Sequence, residues 1–183
     1  MTFHRDGAVN RAGGARGVRP TPNRDRMKNS VQLVVFALDD QNYALRLDAV
    51  ERIVLAVDVT PMPKGPEIIL GMINVQGVVI PVVNIRRRFR IPDRETSPAD
   101  RFILAKTIRR AVALVADSVL NVVEVSGDDI IAPNDIVPGT SYIDGIVKLE
   151  EGIVLIHDLD KFLSLEEEAM LDGTLSQSQG PGR

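Results

Sequence analysis

Cysteine and tryptophan are absent from this 183-residue chain, and it has two histidines, His4 and His157. The missing thiols exclude disulfides, thiol nucleophiles and cysteine-ligated zinc or iron–sulfur sites. His4 and His157 stand far apart in sequence, His4 in a polar stretch, so a histidine-rich metal site has no basis. Long apolar runs are missing as well. None approaches the roughly 18 residues that a membrane span needs, and no apolar segment near the N-terminus resembles a signal peptide. The chain reads as soluble and cytoplasmic, with no cofactor expected. Its 44% hydrophobic residues are enough for a real core in one or two small domains.

Catalytic chemistry is also scarce. Catalysis needs an acid, base, nucleophile or metal poised within hydrogen-bond reach of its partners. Asp39-Asp40 and Asp128-Asp129 look like paired carboxylates, but neighbours on a strand point to opposite faces. Both pairs sit at turn signals, where Asp is expected for local hydrogen bonding. His157 lies in the apolar run Ile153–Leu159 and reads as a hydrogen-bonded structural histidine. Gly13-Gly14 follows no strand, so it is no dinucleotide fingerprint. The chain reads as a non-enzyme.

What is present begins with a charge asymmetry hidden in the net −3. Residues 1–30 hold seven basic and two acidic side chains, or +5, leaving 15 basic and 23 acidic in the remainder, or −8. Residues 1–28, rich in Gly, Arg and Pro without apolar periodicity, are expected to be a disordered basic tail. Residues 29–173 form the folded body in this reading, and residues 174–183, rich in Gly, Ser and Gln, a disordered C-terminal tail.

The body has a β pattern. Val31–Leu38, Tyr43–Leu47, Arg52–Val57, Gly77–Ile85, Arg101–Thr107, Ala111–Ala116, Val119–Val125 and Ile153–His157 are short and rich in β-branched residues. Turn signals separate them, including Asp39-Asp40, Pro92-Asp93 and Pro138-Gly139. Such spacing points to an all-β barrel or sandwich. Pro81 should lie on an edge or at a bulge, because it has no N–H for a ladder. Late in the chain Ser164-Leu-Glu-Glu167 is a capping box that opens a short helix, with Gly173 as its stop.

The body also repeats itself. Tyr43–Val54 echoes Ala113–Val123 at an offset of 69, and Gly71–Ile85 aligns without gaps on Gly145–Leu159, 74 positions on. Two echoes at similar offsets predict two copies of a small β unit, hence two barrels side by side.

One basic cluster, Arg86-Arg87-Arg88-Phe89-Arg90, stands out. Either it is a solvated connector after a strand, or it joins the basic tail in binding nucleic acid on a small barrel. Few aromatics and an acidic body favour the connector, since single-strand binding draws on several stacking side chains.

The segment Gly71-Met-Ile-Asn74-Val-Gln76-Gly77-Val-Val-Ile-Pro81-Val-Val-Asn84-Ile85 resembles the signature of the CheW family, the coupling proteins of bacterial chemotaxis. The resemblance continues through Phe36, Tyr43, Leu47, Val50 and Ile53 upstream, and through Asp117-x-Val119 and Tyr142–Gly145 downstream. It implies two small SH3-like five-stranded β-barrels side by side with a short C-terminal helix. It also implies a non-enzymatic adaptor between the cytoplasmic tip of methyl-accepting chemotaxis receptors and the regulatory domain of the histidine kinase CheA. In that picture the protein sits at receptor clusters through its partners, without membrane insertion and without nucleic acid.

By the same resemblance Leu47, Val50 and Ile53 border a receptor groove, and Arg52, Asn74, Gln76 and Gly77 belong to the kinase and receptor interfaces. Two positions depart from the family pattern. Arg52 stands where the family has Glu, and Gln76 where it has Arg, so the implied ion pair is replaced by an expected Arg52–Gln76 hydrogen bond. Altered partner specificity follows as the expectation.

Overall fold

The computed structural model describes residues 29–63, 65–133 and 142–178. The expected basic tail at 1–28, the Pro138-Gly139 turn and residues 179–183 lie outside the described residues.

Alternating apolar residues build ten strands: β1 (Ser30–Leu38), β2 (Gln41–Arg46), β3 (Val50–Leu55), β4 (Ile69–Val75) and β5 (Val78–Val83) from the first repeat, then β6 (Arg101–Lys106), β7 (Ala111–Ala116), β8 (Ser118–Ser126), β9 (Ile143–Leu149) and β10 (Gly152–His157) from the second. They form two five-stranded sheets, ordered β8-β1-β2-β10-β9 and β3-β6-β7-β5-β4. Each sheet therefore takes a hairpin from one repeat and three strands from the other. The exchange is reciprocal.

Register confirms the duplication. Leu33 on β1 faces Arg46 and Val123, while Phe102 on β6 faces Val115 and Val54, the same triplet displaced by 69. The parallel pairings match too, Ile156 with Ala44 and Val82 with Ala113. One further bridge curls each sheet toward closure, Thr60 to Met72 in one and Ile131 to Ile146 in the other. Gly71 and Gly145 stand beside these bridges for a steric reason: a Cβ on Gly71 would come within 2.2 Å of the Thr60 carbonyl oxygen, and one on Gly145 within 2.4 Å of an Ile130 methyl carbon.

Three cores follow from this arrangement. Leu33, Val35, Ala44, Val147, Val154 and Ile156 fill the first sheet's concave side. Ile73, Ile80, Val82, Phe102, Leu104, Ala113 and Val115 fill the second. Between the sheets a larger cluster joins Phe36, Leu38 and Leu45 to Val83, Ile103 and Leu114. Burying a Phe such as Phe36 or Phe102 contributes enough that truncation to Ala costs about 3–5 kcal/mol.

Several expectations need correction. Pro81 is not on an edge: β5 lies between β7 and β4. The β7 ladder starts only at Val82, so the missing N–H of Pro81 falls outside it. The run Gly77–Ile85 is not all strand, because β5 ends at Val83 and Ile85 opens helix α1 (Ile85–Phe89). Asn84 caps α1 by accepting the Arg86 N–H at 3.1 Å, and Arg90 ends it in the left-handed region at φ 58°. The Arg86–Arg90 cluster is thus largely a helix and not a solvated connector, for Arg86 is buried.

The predicted capping box is present. The Ser164 N–H donates to Glu167 and the Glu167 N–H to Ser164 Oγ, opening helix α2 (Leu165–Ser178). Gly173 does not stop this helix, and Thr174–Ser178 are helical where a loose tail was expected. Leu171 is fully buried and Leu175 packs on the central core, so burial on both sides of Gly173 outweighs its cost of about 1 kcal/mol.

Candidate functional site

Leu47, Val50 and Ile53 lie on one continuous segment that crosses from the first sheet to the second. Leu47 begins a single helical turn, Leu47–Ala49, between β2 and β3. It is half-buried, as is Val50, which rests on the central core. Ile53 is 39% exposed on β3, a strand at the end of the sheet order, opposite the buried Ile103. The predicted groove residues thus follow one another along the connection from β2 into β3.

Asn74, Gln76 and Gly77 meet in the β4–β5 hairpin. Val75 pairs with Val78, leaving a two-residue turn in which Gln76 (φ 54°) and Gly77 (φ 88°) both take positive φ. That combination is the type I′ pattern, whose twist matches the flanking strands. Asn74 Oδ1 accepts the Gly77 N–H at 2.8 Å and holds the turn in shape. All three side chains or backbones are exposed, and so are Val78 (57%) and Val79 (50%).

Arg52 does not join them. It is exposed on β3 and makes no hydrogen bond to Gln76. The bridge from Thr60 to Met72 is antiparallel, so continuing its register sets the hairpin tip opposite the residues just after β3, several positions beyond Arg52. The expected Arg52–Gln76 hydrogen bond is absent for that reason.

Sequence reasoning missed two groups. The first is Val78 and Val79, whose exposure at the hairpin tip was concealed by their place in an unbroken apolar run. The second is an ion-pair hub around Arg86. Its guanidinium, 6% exposed, reaches Asp39 through both terminal nitrogens at 2.8 and 2.9 Å, Asp117 at 2.6 Å and the Pro92 carbonyl at 3.1 Å. Arg94 clamps Asp100 with two hydrogen bonds and also reaches Asp117.

Hydrogen bonding by Arg86 holds the Asp39 carboxyl below its usual range. Burial pushes Asp117 upward, but the Asp39 N–H together with Arg86 and Arg94 brings it below normal. Arg87 pairs with Asp93, and Arg88 with Glu167 of α2. Three of the four clustered arginines are thus engaged by carboxylates within the fold.

The 850 Å³ cleft lined by Ala56–Val59, Leu70, Arg87 and Asp93–Pro98 contains some of these same charges. Arg87 donates to Asp93, which also accepts from Asn84, and Arg94 donates to Asp100 and Asp117. His157 is sealed among Tyr43, Phe89, Tyr142 and Phe162, with its ring centroid 4.3 Å from that of Phe89. Burial lowers its pKa to about 4. The Tyr142 backbone opposes that shift, and the ring stands as a buried structural histidine. Among the described residues no cluster of His, Asp or Glu is arranged to hold a metal, and no helix is long and apolar enough to cross a membrane.

Exposed apolar positions on a strand edge and a hairpin tip, carried by a rigid duplicated β body, define a protein-interaction module. The family model described as CheW-like domain matches residues 32–167, and the chain belongs to that family. Chemotaxis protein CheW of Rhizobium meliloti is 30% identical over 138 residues, covering 74% of this chain and 89% of that protein. Chemotaxis protein CheW of Bacillus subtilis is 29% identical over 157 residues, covering 85% and 96%. The crystal structure of the scaffolding protein TtCheW from Thermoanaerobacter tengcongensis matches with a TM-score of 0.69 at 29% identity, covering 75% of this chain and 94% of that one.

Proposed function

We propose that this chain is a non-enzymatic adaptor of chemotaxis signalling that couples the cytoplasmic tip of methyl-accepting receptors to the histidine kinase CheA. The family match over the two exchanged sheets carries the reading. The surface supports it: Leu47, Val50 and Ile53 cross the boundary between the sheets, and Asn74, Gln76, Gly77, Val78 and Val79 form one exposed hairpin tip. In this reading the first set receives a receptor helix and the second meets the kinase. The chain reaches receptor clusters through these partners.

Arg52 and Gln76 tune partner choice. They are exposed and free of each other, so each offers its donors to an incoming surface and not to a neighbour. Charge coupling across an interface reaches roughly 1.5–7 kcal/mol for close pairs, against about 0.2–1 kcal/mol for an exposed pair within one fold. The deciding experiment is a pull-down with receptor tip and kinase from the same cell, comparing the native chain with Arg52→Glu plus Gln76→Arg. Capture of both partners by the native chain, with a changed ratio in the variant, is expected. Capture of neither by the native chain would sink the adaptor reading, and equal capture by both chains would sink the specificity idea alone.

A further inference from the structure

The duplication supplies an internal template for one cleft. The 74-residue offset carries Asn84–Arg86 onto Asp158–Asp160, and the same capping hydrogen bond is present in both. Asn84 Oδ1 accepts the Arg86 N–H at 3.1 Å, and Asp158 Oδ1 accepts the Asp160 N–H at 3.0 Å. The 69-residue offset carries Asp117 onto Asp48, each at a point where the chain crosses between the sheets. Arg86 and Asp117 are paired at 2.6 Å, whereas their counterparts, Asp160 and Asp48, are both acidic. A carboxylate has replaced the cation that fastens the first copy.

In place of a buried guanidinium the second copy has a cleft of about 280 Å³, lined by both of these carboxylates. Asp160 accepts the Ile108 N–H at 2.7 Å, from the turn that corresponds to that of Asp39. Among the described residues neither Asp48 nor Asp160 has an ion-pair partner. Of the cations lining the cleft, Arg46 is held by Asp144 at 2.6 Å, and Lys106 stands alone against the two carboxylates. The lining also includes His157, which occupies the place of Val83 in the first copy. It is 3% exposed, burial keeps its ring neutral, and a ring nitrogen has no partner among the described residues. A neutral imidazole carries one acceptor nitrogen, so the cleft gathers acceptors and lacks the donor that Arg86 supplies in the first copy.

We propose that this cleft receives an arginine side chain of the partner helix that lies along Leu47 and Val50, its guanidinium taking the place that Arg86 has in the first copy. Asp48 shares a helical turn with Leu47, so the helix that covers this segment passes the mouth of the cleft. A planar guanidinium can meet two carboxylates at once, as Arg86 meets Asp39 and Asp117. The identity of that helix as the receptor tip rests on the adaptor reading; the preference for a guanidinium does not.

The probe is acetyl-arginine amide, with acetyl-citrulline amide as its neutral isostere, titrated into the isotope-labelled full chain. Saturable shifts of the Ala49 and Lys106 amides and of the His157 ring are expected with the arginine compound and none with the citrulline one. Asp48 is exposed and unpaired, so Asp48→Asn should keep the fold and bind the arginine compound roughly tenfold more weakly. Lys106→Gln, which removes the opposing cation, should bind it more tightly. Capture of the receptor tip should fall by a similar factor in Asp48→Asn. Equal shifts from both compounds, no shift, or shifts centred away from the cleft overturn the proposal. Magnesium ion reproducing the shifts makes the cleft a general cation site and overturns it equally. Receptor-tip capture unchanged by Asp48→Asn overturns the assignment of the occupant. A native chain that captures no receptor tip sinks the adaptor reading, and the arginine titration still decides the cleft.

Discussion

Arg86 Nη2 lies 2.6 Å from the Asp117 carboxylate, tying the helix that closes the first repeat to the turn between β7 and β8 of the second. The same guanidinium holds Asp39 in the β1–β2 turn, whose backbone N–H donates to Asp117 at 2.7 Å. One buried cation therefore fastens elements of both sheets. Its neighbours keep some water, Asp39 more than Asp117.

Arg86→Ala is expected to lower unfolding stability by roughly 3 kcal/mol, the low end for removing one partner of a buried ion pair. Arg86→Lys should recover little of it, because a single ammonium cannot reproduce a planar fork bonded to two carboxylates and a carbonyl. Urea denaturation of the two variants checks this. A midpoint for Arg86→Lys equal to that of the native chain contradicts the fork argument.

His157 predicts a separate acid sensitivity. Its pKa of about 4 in the fold, against 6.5 as the ordinary value, keeps it neutral while the unfolded chain takes up a proton. Stability from this group is complete above pH 6.5 and is lost as the pH falls toward 4, by roughly 3 kcal/mol in all. The lowered Asp39, Asp93 and Asp117 act in a lower window, below their ordinary 3.8. Thermal melts at pH 7 and pH 5 should differ more for the native chain than for His157→Phe. Equal differences would remove His157 as the cause.

Gly71 and Gly145 provide a paired test of sheet closure. Gly71→Ala drives a methyl into the Thr60 carbonyl, part of the rigid bridge to Met72, and should cost roughly 1–3 kcal/mol. Gly145→Ala meets chiefly an Ile130 methyl that can turn aside, so its loss should be smaller. Comparing the two midpoints, with amide exchange at Met72 and Ile146, checks both the order and the location.

Val78→Asp separates binding from folding. Val78 is largely exposed, so the substitution should change stability by no more than about 0.5 kcal/mol. As a charge placed in an apolar contact it should weaken kinase capture at least tenfold, or about 1.4 kcal/mol. Titration calorimetry with the kinase regulatory domain measures this. Unchanged affinity removes the hairpin tip from that interface.

Periodicity marked eight of the ten strands before any coordinates. It passed over β4 and β9, each interrupted by the glycine that its bridge requires, Gly71 or Gly145. It also drew Gly77 into the strand run that follows, whereas Gln76 and Gly77 form the turn between β4 and β5. Arg86 was misread as well. Its carboxylate partners lie 47 and 31 residues away, and four arginines within five residues look solvated until those partners are found.

The duplication, the β character and the family signature were decided by the sequence, since each depends on residue types at short fixed spacing. Tertiary structure alone decided which strands share a sheet. A β2–β3 unit that folds back on itself and one that crosses to a neighbouring sheet have the same alternation and the same turn residues. Only the burial gained between the two sheets distinguishes them, and that burial forms between residues far apart along the chain.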